Sequence, residues 1–167
     1  SLELWSQVAA PTTVRGGDGA DRITVSFLGS PDLTPSAEGG AGSDTWVLRG
    51  SFWPVAMGSL TITDFATGPG GDKLDVLPLL SPSGAPGNPF DSGVLRLTAL
   101  GADTLLQRRS DRDASQYFTA VILKDLSPNT LTSDHFVGGI DPRGGTAGLT
   151  LNGTELADTL NGTMLDD

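Results

Sequence analysis

A nine-residue pattern occurs twice in the first third of the chain, over residues 16–24 and 39–47. It reads G-G-x-G-x-D-x-U-x, where U is a large apolar residue. Glycines permit positive φ and close backbone approach, so a tight turn can direct several carbonyl oxygens at one point. The aspartate adds an anionic oxygen, and the apolar residue then begins a short, inward-facing strand. Each copy is therefore predicted to be a turn that offers oxygen ligands to a hard cation. The alternative is a glycine-rich hairpin turn with a solvated aspartate.

The pattern resembles the calcium-binding repeat of the repeats-in-toxin (RTX) proteins, in which nonapeptides build a parallel β-roll. The resemblance implies that two half-coils of the roll take ~18 residues and return the chain to the same edge. The two copies begin 23 positions apart, at Gly16 and Gly39. The excess fits a longer intervening loop through residues 29–36, which is rich in Pro, Gly and Ser. The two turns are then expected to stack.

The resemblance also implies how stacked turns would hold one Ca²⁺, a cation that takes about six to eight oxygen ligands. Each turn would supply two main-chain carbonyl oxygens and one carboxylate. The implied ligands are the carbonyls of Gly16 and Asp18 with the Asp21 carboxylate, and the carbonyls of Gly39 and Ala41 with the Asp44 carboxylate.

Residues 60–76 resemble the segment that closes the calcium roll in serralysin-type proteases and alginate epimerase modules, with extra residues at Gly68–Gly71. Asp64 and Asp72 are predicted either to complete another calcium site or to lie in a solvated turn. Beyond them, strands are predicted at 94–98, 103–107 and 118–123, and residues 131–137 resemble the ending of the same modules. The predicted fold class is all-β, a parallel β-roll capped by an antiparallel segment.

The composition of the chain predicts how it divides into segments. Residues 1–13 are predicted to be an apolar lead, which is compatible both with a cap on the open end of the roll and with an amphipathic helix. The roll with its antiparallel cap is predicted over 14–138. Residues 139–150 form a glycine-rich linker, and 151–167 begin a further repeat array in which Asp158 is a candidate ligand. Asp111 and Asp113 have the spacing of a calcium loop that lacks its later glycine and glutamate, so a polar hairpin turn is favoured there.

Composition excludes several classes of function. The net charge is −10, which argues against nucleic-acid binding because phosphates need a basic surface. The absence of cysteine excludes disulfides and thiolate metal sites. No apolar run is long enough to predict membrane insertion. The only histidine, His135, has no partner evident in the sequence, and no catalytic motif occurs, so the chain is not predicted to be an enzyme.

The function expected from the resemblance is that of a calcium-binding structural module within a large secreted bacterial protein, of the adhesin or toxin type. Such a module would pass through type I secretion machinery, fold on Ca²⁺ at the cell surface or outside the cell, and pack against neighbouring modules of its parent. The alternative is an auxiliary calcium module of a secreted enzyme, such as an epimerase, lipase or protease, that contacts polysaccharide.

Overall fold

The computed structural model describes residues 2–5, 13–27, 34–50, 58–80 and 87–144. Most of the predicted lead, most of the predicted 29–36 loop and the linker beyond residue 144 lie outside these ranges. So does the predicted array at 151–167, with Asp158. No helix in the described ranges is long and apolar enough to cross a bilayer.

Two sheets make up the fold, and successive strands from β1 to β7 alternate between them. The four-stranded sheet is parallel throughout and contains, in spatial order, β1 (Leu2–Trp5), β3 (Arg22–Phe27), β5 (Thr45–Gly50) and β7 (Lys73–Asp75). The six-stranded sheet contains, in spatial order, β2 (Thr13–Asp18), β4 (Ser36–Ala41), β6 (Leu60–Ile62), β10 (Tyr117–Leu123), β9 (Asp103–Arg109) and β8 (Leu95–Leu100). Its strands pair in parallel as far as β10 and then antiparallel. The predicted all-β class is confirmed.

The alternation of side chains explains why these segments are strands. In β5, Trp46 and Leu48 face inward with no exposed surface, and Trp46 pairs in register with Ile23 on one side and Leu74 on the other. Side-chain direction in a strand has a period of two, so this register places Ile23, Trp46 and Leu74 on the same, core-facing side of the sheet, whereas Val47 of β5 is buried on the opposite side. Ala37 and its neighbours in the other sheet complete the same apolar cluster.

The register reproduces the spacing of the motif. Thr13 pairs with Ser36 in one sheet and Arg22 with Thr45 in the other, both at an offset of 23 residues. One circuit through both sheets therefore takes the number of residues that separates the two glycine-rich turns.

The segment that contains the antiparallel strands, residues 95–137, closes one end of both sheets, and we call it the cap. Strand β10 extends the six-stranded sheet by pairing in parallel with β6. At the four-stranded sheet, the amide of Val137 donates to the carbonyl of Leu74 at 3.0 Å, and Phe136 bridges Leu74. A single helical turn, α1 (Leu77–Leu80), packs on β5. The cap therefore shares the core with the parallel strands.

Candidate metal centre

The two glycine-rich turns lie side by side at one edge of the fold. Gly17 pairs with Gly40, and Asp18 pairs with Ala41. The stacking continues through the turns, since the Gly19 amide donates to the Ala41 carbonyl at 2.7 Å. The spacing of the motif predicts this juxtaposition, which brings both sets of candidate ligands to the same edge.

Glycine is required where the turns meet. A Cβ atom at Gly40 would overlap the carbonyl oxygen of Gly17, and the φ of Gly40 is +98°, a value that L side chains rarely adopt. Gly42 repeats this relation with the carbonyl of Gly19. The glycines thus serve the close approach of one turn to the next, as well as the shape of each turn.

Three aspartates are stacked along this edge. The amide of Asp21 donates to Oδ1 of Asp44 at 2.8 Å, and the amide of Asp44 donates to Oδ1 of Asp72 at 2.9 Å. Asp44 has no exposed surface, and Asp72 is 2% exposed. Each of these two carboxylates therefore lies between its own turn and the preceding one.

The Asp44 carboxylate is only half satisfied. Its Oδ2 atom is buried and has no hydrogen-bond partner in the described structure. It lies against Gly39, where a Cβ would overlap it. A buried anionic oxygen without a compensating partner costs several kcal/mol, so in native proteins it is normally paired or bound to a metal. A cation bound at this edge would therefore be most stabilising next to Oδ2 of Asp44.

Two further oxygen atoms lie where the first two turns meet. The carbonyl oxygen of Gly39 and Oδ2 of Asp21 both lie close to the α-carbon of Gly16, where an added Cβ would overlap the first and come within 3.1 Å of the second. Carboxylate and carbonyl oxygens form the donor set that Ca²⁺ prefers. No group of three or more His, Cys, Asp or Glu side chains that could hold a metal occurs in the described ranges. The predicted set instead combines two carboxylates with main-chain carbonyls.

The segment between β6 and β7, residues 63–72, forms a third turn that differs from the first two. Asp64 accepts the amides of Gly39 and Gly40, each at 2.9 Å. Asp72 accepts the amide of Asp44 on one oxygen and that of Ala66 on the other, at 3.0 Å. Main-chain donors thus engage all four oxygens of the two carboxylates. Through these amide contacts Asp64 and Asp72 hold the third turn to the second. Their role as calcium ligands stays a prediction.

The pKa of Asp72 is raised, chiefly because burial disfavours its charged form. The amides of Ala66 and Asp44 oppose the shift, whereas the negative charges of Asp44 and Asp64 add to it. The carboxylates of this edge therefore repel one another, and a cation bound among them would relieve the repulsion.

Asp111 and Asp113 are engaged within the β9–β10 hairpin. Both oxygens of Asp111 accept from the Arg108 guanidinium, at 2.9 and 2.8 Å. Oδ1 of Asp113 accepts the amide and the hydroxyl of Ser115, at 2.9 and 2.6 Å. These contacts are those of a polar hairpin turn, the structure favoured for this segment from the sequence.

His135 has a structural position that the sequence did not indicate. It is 5% exposed, and its Nδ1 accepts the amide of Thr132 at 3.0 Å. Its Nε2 lies 3.4 Å from the amide nitrogen of Gly68, in the third turn. The ring therefore joins the cap to the third turn. Only its being the sole histidine could have drawn attention to it.

No protein-family model matches the sequence, and no curated protein matches it significantly. The function must therefore be inferred from the chemistry of these residues.

Proposed function

We propose that this chain is a calcium-binding structural module, a parallel β-roll of the RTX kind in which the first two glycine-rich turns hold Ca²⁺ between them. One observation carries the proposal, the buried and unpartnered Oδ2 of Asp44 at the interface of the turns. The stacking of the turns at the motif's own spacing supports it. So does a net charge of −10, which bound divalent cations would partly neutralise.

The residues that would hold the ion are those of the two stacked turns. They are the carboxylates of Asp21 and Asp44 and the main-chain carbonyls of Gly16, Asp18, Gly39 and Ala41. Bound Ca²⁺ supplies positive charge at the point where the fold buries negative charge. The chain itself fixes these oxygens in place. Main-chain amides of the first turn donate hydrogen bonds to the second turn, and the glycines allow the two turns to approach closely.

Such a site couples folding to calcium. The ligands are assembled only when the strands are paired, so the free energy of metal binding adds to that of folding. Extracellular calcium modules work at roughly 10⁻⁴–10⁻³ M Ca²⁺. A site of that affinity is vacant at the low free calcium of a cytoplasm and filled outside the cell. We therefore assign the module to a secreted or cell-surface bacterial protein of the adhesin or toxin type, which crosses the envelope unfolded through type I export.

Substitution of Asp44 by Asn tests the site by two measurements, the affinity for calcium and the stability in chelator. The variant loses the anionic oxygen, so calcium affinity in isothermal titration should fall by about tenfold or more, since a charged partner contributes ~1.5–3 kcal/mol. In chelator, the same variant should be more stable than the parent, because a buried neutral amide costs less than a buried, uncompensated charge.

Asp134→Asn is the matched control, since Asp134 is exposed and belongs to the cap rather than to the two glycine-rich turns. It should leave both measurements unchanged. Unaltered calcium affinity in Asp44→Asn, with the fold verified by circular dichroism, would show that the ion is not held at this edge.

A further inference from the structure

One edge of the six-stranded sheet is formed by β8, which pairs with β9 on one side only in the described ranges. The amide of Arg109 donates to the Val94 carbonyl at 2.8 Å, which fixes the phase of the antiparallel ladder. In such a ladder, alternate residues of a strand direct their N–H and C=O groups to the same side. The main-chain groups of Leu97 and Ala99 therefore face away from β9, toward the outer edge of β8.

This outer edge has no partner strand within the described ranges. Its start is covered, since the amide of Leu95 donates to the carbonyl of Pro89 at 2.9 Å. Farther along, Ala99 and Leu100 are exposed, and Leu100 retains 59% of its surface. An edge strand of this kind is a template for pairing with another strand, because its N–H and C=O groups are already arrayed for a ladder.

The last described residue of the chain, Gly144, lies close to the loop that precedes β8. An added Cβ at Gly144 would overlap Oδ1 of Asp91 in that loop. The side chain of Asn88, in the same loop, donates to the Asp141 carbonyl at 2.8 Å. The residues that follow Gly144 therefore leave the described fold next to the end at which β8 begins.

The sequence beyond this point contains a short segment with the pattern of a strand. Residues 148–152 read Gly-Leu-Thr-Leu-Asn, in which two leucines flank a threonine, and Asn-Gly at 152–153 is a turn signal. Such alternation favours a strand with one apolar side and one polar side. Residues 145–147 allow a span of about 13 Å from Gly144, which exceeds the ~4.8 Å between neighbouring strands.

We propose that residues 148–152 pair in parallel with the outer edge of β8, as a further strand of the six-stranded sheet. The direction follows from the point of exit, since Gly144 lies at the end where β8 begins. The proposal goes beyond the calcium site, because no residue of this edge belongs to the glycine-rich turns.

The contacts at the edge select one register. The two leucines of the segment must lie on the core-facing side of the sheet, as Leu97 does, because a shift of one residue would turn them outward. The place opposite Leu95 is already taken by Pro89. Leu149 therefore lies opposite Leu97, and the second leucine lies opposite Ala99.

This register satisfies the main-chain groups of the edge. In a parallel ladder, Thr150 donates its amide to the Leu97 carbonyl and accepts the amide of Ala99. Leu149 covers Leu97, which is half-buried at the margin of the core, so the pairing also removes apolar surface from water. The pairing would hold the start of the array predicted at 151–167 against the cap, where composition alone predicts a glycine-rich linker.

Hydrogen exchange of the whole chain, in saturating Ca²⁺, tests the pairing. In the parent, the amides of Leu97 and Ala99 should exchange at least tenfold more slowly than the same amides in an unstructured peptide. Thr150→Pro removes the amide that would donate to Leu97, and it should raise both rates at least tenfold. The amides of Arg96 and Thr98, which face β9, should stay slow in both proteins.

Thr159→Pro is the matched control, since it makes the same substitution outside the proposed strand, and it should leave both rates unchanged. A second measurement uses the absence of cysteine from the chain. Thr98→Cys combined with Thr150→Cys should form a disulfide, because opposite residues of paired strands have Cα atoms ~5 Å apart, within disulfide range. Thr98→Cys combined with Thr159→Cys should form one at least tenfold more slowly.

Rapid exchange at Leu97 and Ala99 in the parent would overturn the proposal and show an edge that is left to solvent. Slow exchange that Thr150→Pro does not change would overturn it as well, because a different occupant, such as a second copy of the chain, would then cover the edge. Equal rates of disulfide formation in the two cysteine pairs would contradict the register.

Discussion

At the scale of single residues, the glycines and the aspartates of the turns have different roles. Aspartates bring charge to the edge, and glycines let the next turn approach closely enough to share it. Asp44 shows the division most clearly, since its carboxylate fits only because Gly39 lacks a Cβ. Asp64 and Asp72 differ from Asp44, since main-chain amides donate to both oxygens of each carboxylate.

Two glycine-to-alanine substitutions separate the two roles of glycine. Gly19 and Gly40 both have positive φ, +111° and +98°, but only at Gly40 would a Cβ overlap the neighbouring turn. Gly19→Ala should cost about 1–3 kcal/mol through backbone strain alone. Gly40→Ala should cost clearly more, because it also separates the turns. Urea unfolding in calcium measures both, and equal losses would mean that the turns are not packed as described.

At the scale of elements, the β9–β10 hairpin carries an ion pair that does not depend on calcium. Asp103 begins β9, and Lys124 follows β10 and donates to Asp103 at 2.8 Å. The pKa of Asp103 is lowered, mainly by that hydrogen bond and next by the amide of Asp125. The pKa of Lys124 is raised by the same contact.

The sign of the pH dependence follows from the lowered pKa. A carboxylate with a depressed folded pKa stabilises the fold above its unfolded value of about 3.9, and this contribution is lost as the pH falls through the folded value. Asp103→Asn should therefore lower the unfolding midpoint at neutral pH, and the difference from the parent should vanish in strong acid. A difference that stays constant from pH 7 to pH 2 would contradict the pairing.

How far the elements could be predicted depends on local signals. The alternating apolar residues of β3 and the repeat of the glycine-rich turn predicted β3, the matching strand β5 and their offset of 23, because both signals are encoded within a few residues. The parallel pairing of β10 with β6 could not be predicted, since it joins segments about 60 residues apart without a repeat. The contacts of Asp64 and Asp72 with the amides of the second turn could not be predicted, because they join residues 24 to 28 positions apart in the chain.

At the scale of the whole molecule, the proposed calcium site predicts that the two ends of the fold depend on calcium to different degrees. The end built from β6, β7 and the cap compensates its carboxylates with amides, the Arg108–Asp111 pair and the Lys124–Asp103 pair. The end built from β2 to β5 buries the unpartnered oxygen of Asp44. Calcium should therefore stabilise the first two turns most, with the cap as the part that persists longest without it.

Site-resolved hydrogen exchange with and without calcium tests the central claim most directly. Millimolar Ca²⁺, but not Mg²⁺, should slow exchange of the amides of the two turns, including that of Asp21, by at least tenfold. Mg²⁺ should fail because it demands tight octahedral geometry and retains its waters. Amides of β9 and β10 should change least. Exchange in residues 16–21 and 39–44 that is the same in calcium and in chelator would contradict the account.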